Sequence, residues 1–232
     1  MTYNEFSIPK KGGKIRKIVA PDAELKAFLR EQLPIIEDYY LKYSKMYGVH
    51  NLIHGFVHKK NVKTAASMHV GFDMTIMMDI SEFFDSVTPA HLPRIPQITS
   101  EMFHKEGYTA QGFPTSPMLA NIAIVPIVSK IKNSLSKLLG NQRFAFTIYA
   151  DDIQISLNNI HTEHIAEIIK IVANSFESRD FKLNKRKTRV KYAKFGYRRI
   201  LGINVGNDHL TATRATRRKM RAAKHQGNGP ST

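Results

Sequence analysis

The sequence predicts an α+β fold, an antiparallel sheet with helices on one face, standing behind a small basic hairpin lobe. Three observations carry this expectation. Short apolar runs with strand character recur at 74–80, 144–149 and 153–157. The last two are joined only by Ala150-Asp151-Asp152, which makes a hairpin. Longer segments with helical periodicity lie between the runs, so the order reads strand, helix, hairpin, helix, strand.

The elements follow in chain order. Residues Ile8 to Ala20 read as two short strands around Lys11-Gly12-Gly13-Lys14, where paired glycines permit a tight reversal. Asp22 is placed to cap a helix that carries Leu25, Phe28, Leu29 and Leu33 on one face, and Pro34 is expected to kink or end it. Met74 to Ile80 is apolar enough for a buried strand, with Asp79 at its end. Pro117 to Leu138 reads as a helix bent near Pro126 and capped by Thr115 or Ser116. The helix Thr162 to Glu177 places Ile165, Ile168, Ile169, Val172 and Phe176 on one stripe. Thr188 to Tyr192 and Arg199 to Val205 are further strands, Arg214 to Lys224 is basic and helical, and Gly227 to Thr232 has the composition of a disordered end.

Composition narrows the chemistry. Thirty-five lysines and arginines against 19 acidic residues give a net charge of +16. A folded chain tolerates that self-repulsion best with a polyanionic partner: nucleic acid first, an anionic membrane surface second. The absence of cysteine excludes disulfides, thiol catalysis and cysteine-ligated metals, and fits a reducing compartment. No apolar run has the length of a membrane span, and Met1-Thr2-Tyr3-Asn4-Glu5-Phe6 lacks a signal pattern, so the cytoplasm is the expected location and no membrane partner is expected.

The acidic residues are the sharpest signal. An Asp-Asp pair in a turn is usually a solvated turn. Asp151-Asp152, however, sits in a hairpin without the glycine such turns favour, and adjacent like charges repel unless a cation joins them. Asp79, closing an apolar strand, is costly to bury unless paired or metal-bound. If the hairpin lies beside the Asp79 strand, three hard carboxylates meet and suit two Mg²⁺ or Mn²⁺ ions about 3.5–4 Å apart, the arrangement that clamps an in-line phosphoryl transfer. His50, His54 and His58 recur at helical spacing, but Gly48 and Gly55 argue against a continuous helix and so against a zinc face.

Asp79-Ile80-Ser81-Glu82-Phe83-Phe84-Asp85-Ser86-Val87, Gln111-Gly112-Phe113-Pro114-Thr115-Ser116-Pro117-Met118-Leu119-Ala120-Asn121 and Tyr149-Ala150-Asp151-Asp152 resemble polymerase motifs A, B and C of bacterial reverse transcriptases, a group that includes retron, group II intron and phage-defence enzymes. Further blocks agree in order: Arg16 to Pro21, His54 to Val57, Leu183 to Thr188 (motif D) and Ile200 to Ile203 (motif E). The resemblance covers roughly residues 8–205 and implies a right-hand polymerase palm plus fingers. The fingers fall at 1–72 with part of 88–120, the palm at 73–205, and a basic tail, a possible thumb remnant, at 206–232.

It also implies roles. Asp79, Asp151 and Asp152 are the catalytic carboxylates, and Asp79, Ile80, Asp151 and Asp152 the metal-binding set. Phe84 matches a steric gate against the ribose 2′-OH; of Phe83 and Phe84, one belongs to the core. Gln111 lies beside the incoming nucleotide, Lys10 and Arg16 hold its triphosphate, and Lys187 assists pyrophosphate departure. Leu201 and Gly202 belong to the primer grip. The implied partners are an RNA template, an RNA/DNA duplex and dNTPs. Departures are specific. Ala65-Ala66-Ser67-Met68-His69 keeps the His of the retron Asn-Ala-x-x-His block but not the Asn, and Ile200-Leu201-Gly202 replaces Val-Thr-Gly. The segment Thr88 to Ala110 is short, and the residues after Val205 suffice for one thumb helix at most, so the expectation is either poor processivity or a thumb replaced by a structured non-coding RNA, a protein partner or another subunit. Two alternatives stand beside an RNA-directed DNA polymerase: a template-independent or protein-primed terminal polymerase, and a non-catalytic RNA-binding scaffold.

Overall fold

The computed structural model describes residues 2–9, 15–158, 162–214, 216–218 and 221–222. Strands β1 (Tyr3–Pro9) and β2 (Ile15–Pro21) pair antiparallel from Tyr3↔Pro21 to Pro9↔Ile15. The pair starts earlier than the Ile8 boundary expected, because every residue of β2 finds a partner on β1. Lys10 and the Lys11–Lys14 turn lie outside the described residues.

Asp22 caps helix α1 (Ala23–Met46) as expected, its carboxylate accepting from the Leu25 amide at 2.7 Å. Pro34 does not end this helix. It deprives the Arg30 carbonyl of its helical donor, but both residues are exposed and water can serve instead. Helix α2 (Val62–Ser67) is short and closed by an Asn61–Thr64 capping box.

Strand β3 (Met74–Asp79) is followed by irregular chain with 3₁₀ turns at Pro89–His91 and Ser100–Met102. Helix α3 (Ser116–Leu139) is buried almost all round, which makes it the centre of the core. The hairpin β4 (Phe144–Tyr149) and β5 (Asp152–Leu157), helix α4 (Thr162–Glu177) and strand β6 (Arg189–Tyr192) follow. The four strands form one antiparallel sheet in the order β4-β5-β3-β6.

Alternation along the strands sorts their side chains by face. Met74, Ile76 and Met78 of β3, with Ile153, Ile155 and Leu157 of β5, join α3 and α4 in the main hydrophobic cluster. Thr75, Met77 and Asp79, with Asp152, Gln154 and Ser156, therefore occupy the opposite face. Helices α3 and α4 lie on one side of the sheet; the other side is partly covered by α2 through Ala66, and its end at Asp79 and Asp152 is left for a site.

The expected strand over 199–205 is instead a hairpin, β7 (Arg198–Ile200) and β8 (Ile203–Val205), extended by β9 (Leu210–Ala212) into a separate three-stranded sheet. The cause is local. Leu201 and Gly202 both adopt positive φ, 49° and 80°, the two-residue turn whose twist matches a hairpin. Ala66, Ile200 and Val205 form a second, small cluster with Met77 packed against it.

Candidate active site

The site begins with a strained turn. Tyr149 and Asp152 are the last pair of the β4–β5 hairpin, so Ala150 and Asp151 alone make the reversal, and Ala150 sits at φ 54° without being a glycine. The segment before α2 braces it. The His54 amide donates to the Ile148 carbonyl and the Ile148 amide to the Leu52 carbonyl, each at 2.8 Å. A Cβ on Gly55 would stand 2.4 Å from the Ala150 nitrogen, so only glycine permits this approach. Asn121 Nδ2, from the first turns of α3, donates to the Gly55 carbonyl at 2.9 Å.

Strand β3 brings the third carboxylate. Asp79 is the Cα partner of Asp152, and the Ile80 amide donates to the Asp151 carbonyl at 2.8 Å. Asp79 is buried, and its Oδ2 accepts from Lys187 Nζ at 2.6 Å. Loss of water and the Asp79 charge raise the Asp151 pKa, while Lys187 and Arg16 pull it back. Asp152 keeps an open outer surface, yet desolvation of its inner side and the charges of Asp151 and Asp79 push it up to about 6. Lys187 is raised in turn, first by its hydrogen bond to Asp79 and then by the charges of all three carboxylates.

Asp79, Asp152, Lys187, Gln154, Leu201 and Gly202 line one cleft of about 510 Å³. The sequence placed the two carboxylates, the lysine and the grip residues separately; the sheet puts them around one space. Among the described residues no three His, Cys, Asp or Glu side chains are gathered closely enough to hold a metal ion by themselves. The lysine ammonium occupies Asp79 instead. The donors are oxygen only, and the carboxylate crowding is of the kind a divalent cation relieves, so the set fits such an ion once Asp79 exchanges Lys187 for it.

The remaining expected residues divide. Phe83 is core and Phe84 is half-buried, its ring between Phe83 at 5.5 Å and the exposed Phe56 at 6.0 Å. The Gln111 carbonyl accepts from the Val19 amide at 2.8 Å, and a Cβ on Gly112 would stand 2.3 Å from the Val19 oxygen, so the motif B loop is fastened to β2. Arg16 is exposed on β2 and within electrostatic reach of Asp151. Lys10 lies outside the described residues.

The expected cap of α3 is not made. Thr115 has helical backbone angles rather than the extended ones that aim a side chain at the N2 or N3 amide. Its hydroxyl and that of Ser116 are buried without a hydrogen-bond partner. The histidines form no metal face: His54 is buried between Thr64 Oγ1 at 2.9 Å and the Asn51 carbonyl at 3.0 Å, and burial lowers its pKa to about 4.

A buried polar chain went unforeseen. Arg198 is fully buried; it donates to Thr75 Oγ1 at 3.0 Å and to the His69 and Gly206 carbonyls at 2.9 and 3.2 Å. Thr75 meets Ser156, His69 bridges Ser156 at 2.8 Å and Thr147 at 2.7 Å, and Thr147 donates to Gln154 at 3.0 Å. The chain thus runs from the β7–β8 hairpin to the floor of the carboxylate cleft. Its signal was the polar member at every second position of apolar strands, Thr75, Thr147, Gln154 and Ser156.

The chain is 29% identical over 252 residues to the retron Mx65 reverse transcriptase of Myxococcus xanthus, covering 97% of this chain and 56% of that one. Against the retron Ec86 reverse transcriptase of Escherichia coli the identity is 23% over 235 residues, with 96% and 69% covered. The retron enzymes match despite the missing Asn and the altered Val-Thr-Gly. The chain spans about half the length of the two Myxococcus relatives it matches. Among solved structures, telomerase from Candida albicans in complex with a fragment of telomeric RNA shares the fold, with a TM-score of 0.64 at 14% identity over 91% of this chain and 46% of that one. The profile described as reverse transcriptase (RNA-dependent DNA polymerase) matches residues 8–205, the same stretch that builds the sheet, the hairpin and the cleft, and the chain belongs to that family.

Proposed function

We propose that this protein is an RNA-directed DNA polymerase that extends a primer 3′-OH with deoxynucleoside triphosphates on an RNA template. The observation that carries the reading is the meeting of Asp79, Asp151 and Asp152 at one end of the sheet, reached from two separated stretches of sequence. With the backbone carbonyl of Ile80, these carboxylates would hold two Mg²⁺ or Mn²⁺ ions. Such ions activate the attacking hydroxyl and neutralise charge on the transferred phosphoryl group.

The chain's own groups do the rest. Arg16 and Lys10 bind the triphosphate from the β1–β2 lobe. Phe84 closes the space a ribose 2′-OH needs, and Gln111 flanks the nucleotide. Lys187 is charged, lies in the cleft, and can pass from Asp79 to the departing pyrophosphate and give it a proton. The Leu201-Gly202 turn holds the primer end against the carboxylates. In this reading residues 1–72, with part of 88–120, act as fingers, 73–205 as palm, and 206–232 as a basic tail along the duplex. Similarity to retron enzymes supports a retron-like or phage-defence setting with a dedicated structured RNA.

Primer extension tests the reading. With Mg²⁺, dNTPs and an RNA template annealed to a DNA primer, product complementary to the template is expected, and chelation removes it. Asp151→Asn/Asp152→Asn should lose at least a thousandfold in rate, about 4 kcal/mol of transition-state stabilisation, while RNA affinity stays. A wild type inactive on several templates would leave the scaffold reading standing. Product unrelated to the template would favour a terminal polymerase.

A further inference from the structure

The edge strand β6 leads away from the carboxylates and carries a cation at each outward step. Arg189 and Lys191 are exposed while Val190 and Tyr192 between them are half-buried, as alternation requires. Arg189 lines the carboxylate cleft. The register from Arg189↔Met77 to Tyr192↔Met74 takes the strand toward the start of β3, on the order of 17 Å from Asp79.

At that far end two rings stand in solvent. Phe195 is 80% exposed and Tyr197 54%. The Lys194 ammonium lies 5.2 Å from the Phe195 ring centre and 5.7 Å from that of Tyr192, and Tyr192 meets Phe195 edge-on at 6.1 Å. The Tyr197 hydroxyl is 3.2 Å from His209 Nε2. A Cβ on Gly206 would come within 3.1 Å of the Tyr197 ring, so the glycine gives that ring its seat. Tyr197, Gly196, Gly206 and Asn207 border a shallow cavity of about 190 Å³.

A phenylalanine this exposed adds nothing to a core. Apolar protein-docking faces are contiguous, whereas these rings alternate with cations on a chain of charge +16. Aromatic faces interleaved with lysines fit unpaired bases on a phosphate backbone. We propose that Phe195 and Tyr197 form a stacking platform for a single-stranded RNA segment, whose phosphates follow Lys194, Lys191 and Arg189 toward the cleft. This goes beyond the polymerase reading, because it assigns an RNA contact remote from the chemistry and open to measurement without catalysis.

The full chain is titrated, in chelator, against a labelled unstructured RNA and against an abasic RNA of equal length, by fluorescence anisotropy. Phe195→Ala/Tyr197→Ala should weaken RNA binding by roughly five- to hundredfold for each ring that stacks a base. Phe195→Tyr should keep it, and the abasic RNA should bind wild type as poorly as RNA binds the double variant. Lys191→Ala/Lys194→Ala should lower the slope of log affinity against log salt by about 0.7 per lysine. Extension of a short duplex by Phe195→Ala/Tyr197→Ala should match wild type, which separates this proposal from failure of the polymerase itself. Unchanged RNA affinity in the double variant, or equal binding of abasic and natural RNA, would overturn the platform. Unchanged affinity together with loss of a bound protein or of self-association would reassign the surface to a protein partner and overturn it equally.

Discussion

Single atoms decide whether the carboxylates meet. The hairpin tip is built from Ala150 at positive φ, an expensive residue there, and it is held by the backbone of Gly55 pressed against the Ala150 nitrogen. Gly55→Ala should therefore push hairpin and brace apart. Its methyl has backbone, not a flexible side chain, in its way. Overpacking of this kind costs about 1–3 kcal/mol, and the displacement should also lower primer extension by tenfold or more. Equilibrium urea unfolding and extension rates check both effects; a variant with wild-type midpoint and rate would show that the contact is soft. The Asp-Asp pair itself was legible in the sequence, as a repulsive pair in a turn lacking glycine. The brace was not. Nothing in His54-Gly55 announces that its backbone pairs with β4, because the pairing joins residues far apart and uses main-chain atoms only.

At the scale of elements, the strands around the carboxylates were readable because apolar periodicity and hairpin length are local properties. The β7–β8 hairpin reads in sequence as one strand, since Ile200-Leu201-Gly202-Ile203 is apolar throughout and the turn is marked only by one glycine. That sheet is anchored to the four-stranded one by the small apolar contact of Ile200 and Val205 with Met77 and, beside it, by Arg198, a charge buried inside polar partners. Burial lowers its pKa and Asp73 counters the effect. Arg198→Met would remove the donors of Thr75, the His69 carbonyl and the Gly206 carbonyl together. Each buried group left unsatisfied costs about 1–3 kcal/mol, so a loss of roughly 3 kcal/mol is expected. The loss should be local as well as global. Hydrogen exchange should accelerate first in β7 and β8, with β3 and β5 keeping their protection, and the KM for primer should rise more than kcat falls. Uniform acceleration across both sheets would mean that Arg198 stabilises the core at large and does not position the Leu201-Gly202 turn.

For the whole molecule, charge sets the conditions under which the fold holds. The chain already carries +16, and its ten histidines add to this as pH falls. Two of them resist. Burial holds His69 down at about 3, with the Arg198 charge adding to the effect, and His54 at about 4. Below the ordinary imidazole value of about 6.5 the unfolded chain takes up protons at these sites and the folded chain does not. Stability is then full above about pH 6.5 and declines as pH falls toward the folded values. At pH 5 the loss is about 2 kcal/mol for His69, one and a half pH units at about 1.4 kcal/mol each. Asp151 and Asp152 work in the opposite sense, since their raised values make the folded state the better proton acceptor in part of the same range. A wild-type profile alone would mix the two. His69→Gln isolates one of them, because glutamine keeps a hydrogen-bonding group between Ser156 and Thr147 and cannot titrate. Measured by urea unfolding in chelator, the gap between wild type and His69→Gln should narrow by about 2 kcal/mol from pH 7 to pH 5. A gap constant across that range would mean that His69 accepts a proton in the folded state, and that the chain joining the β7–β8 hairpin to the cleft opens to water.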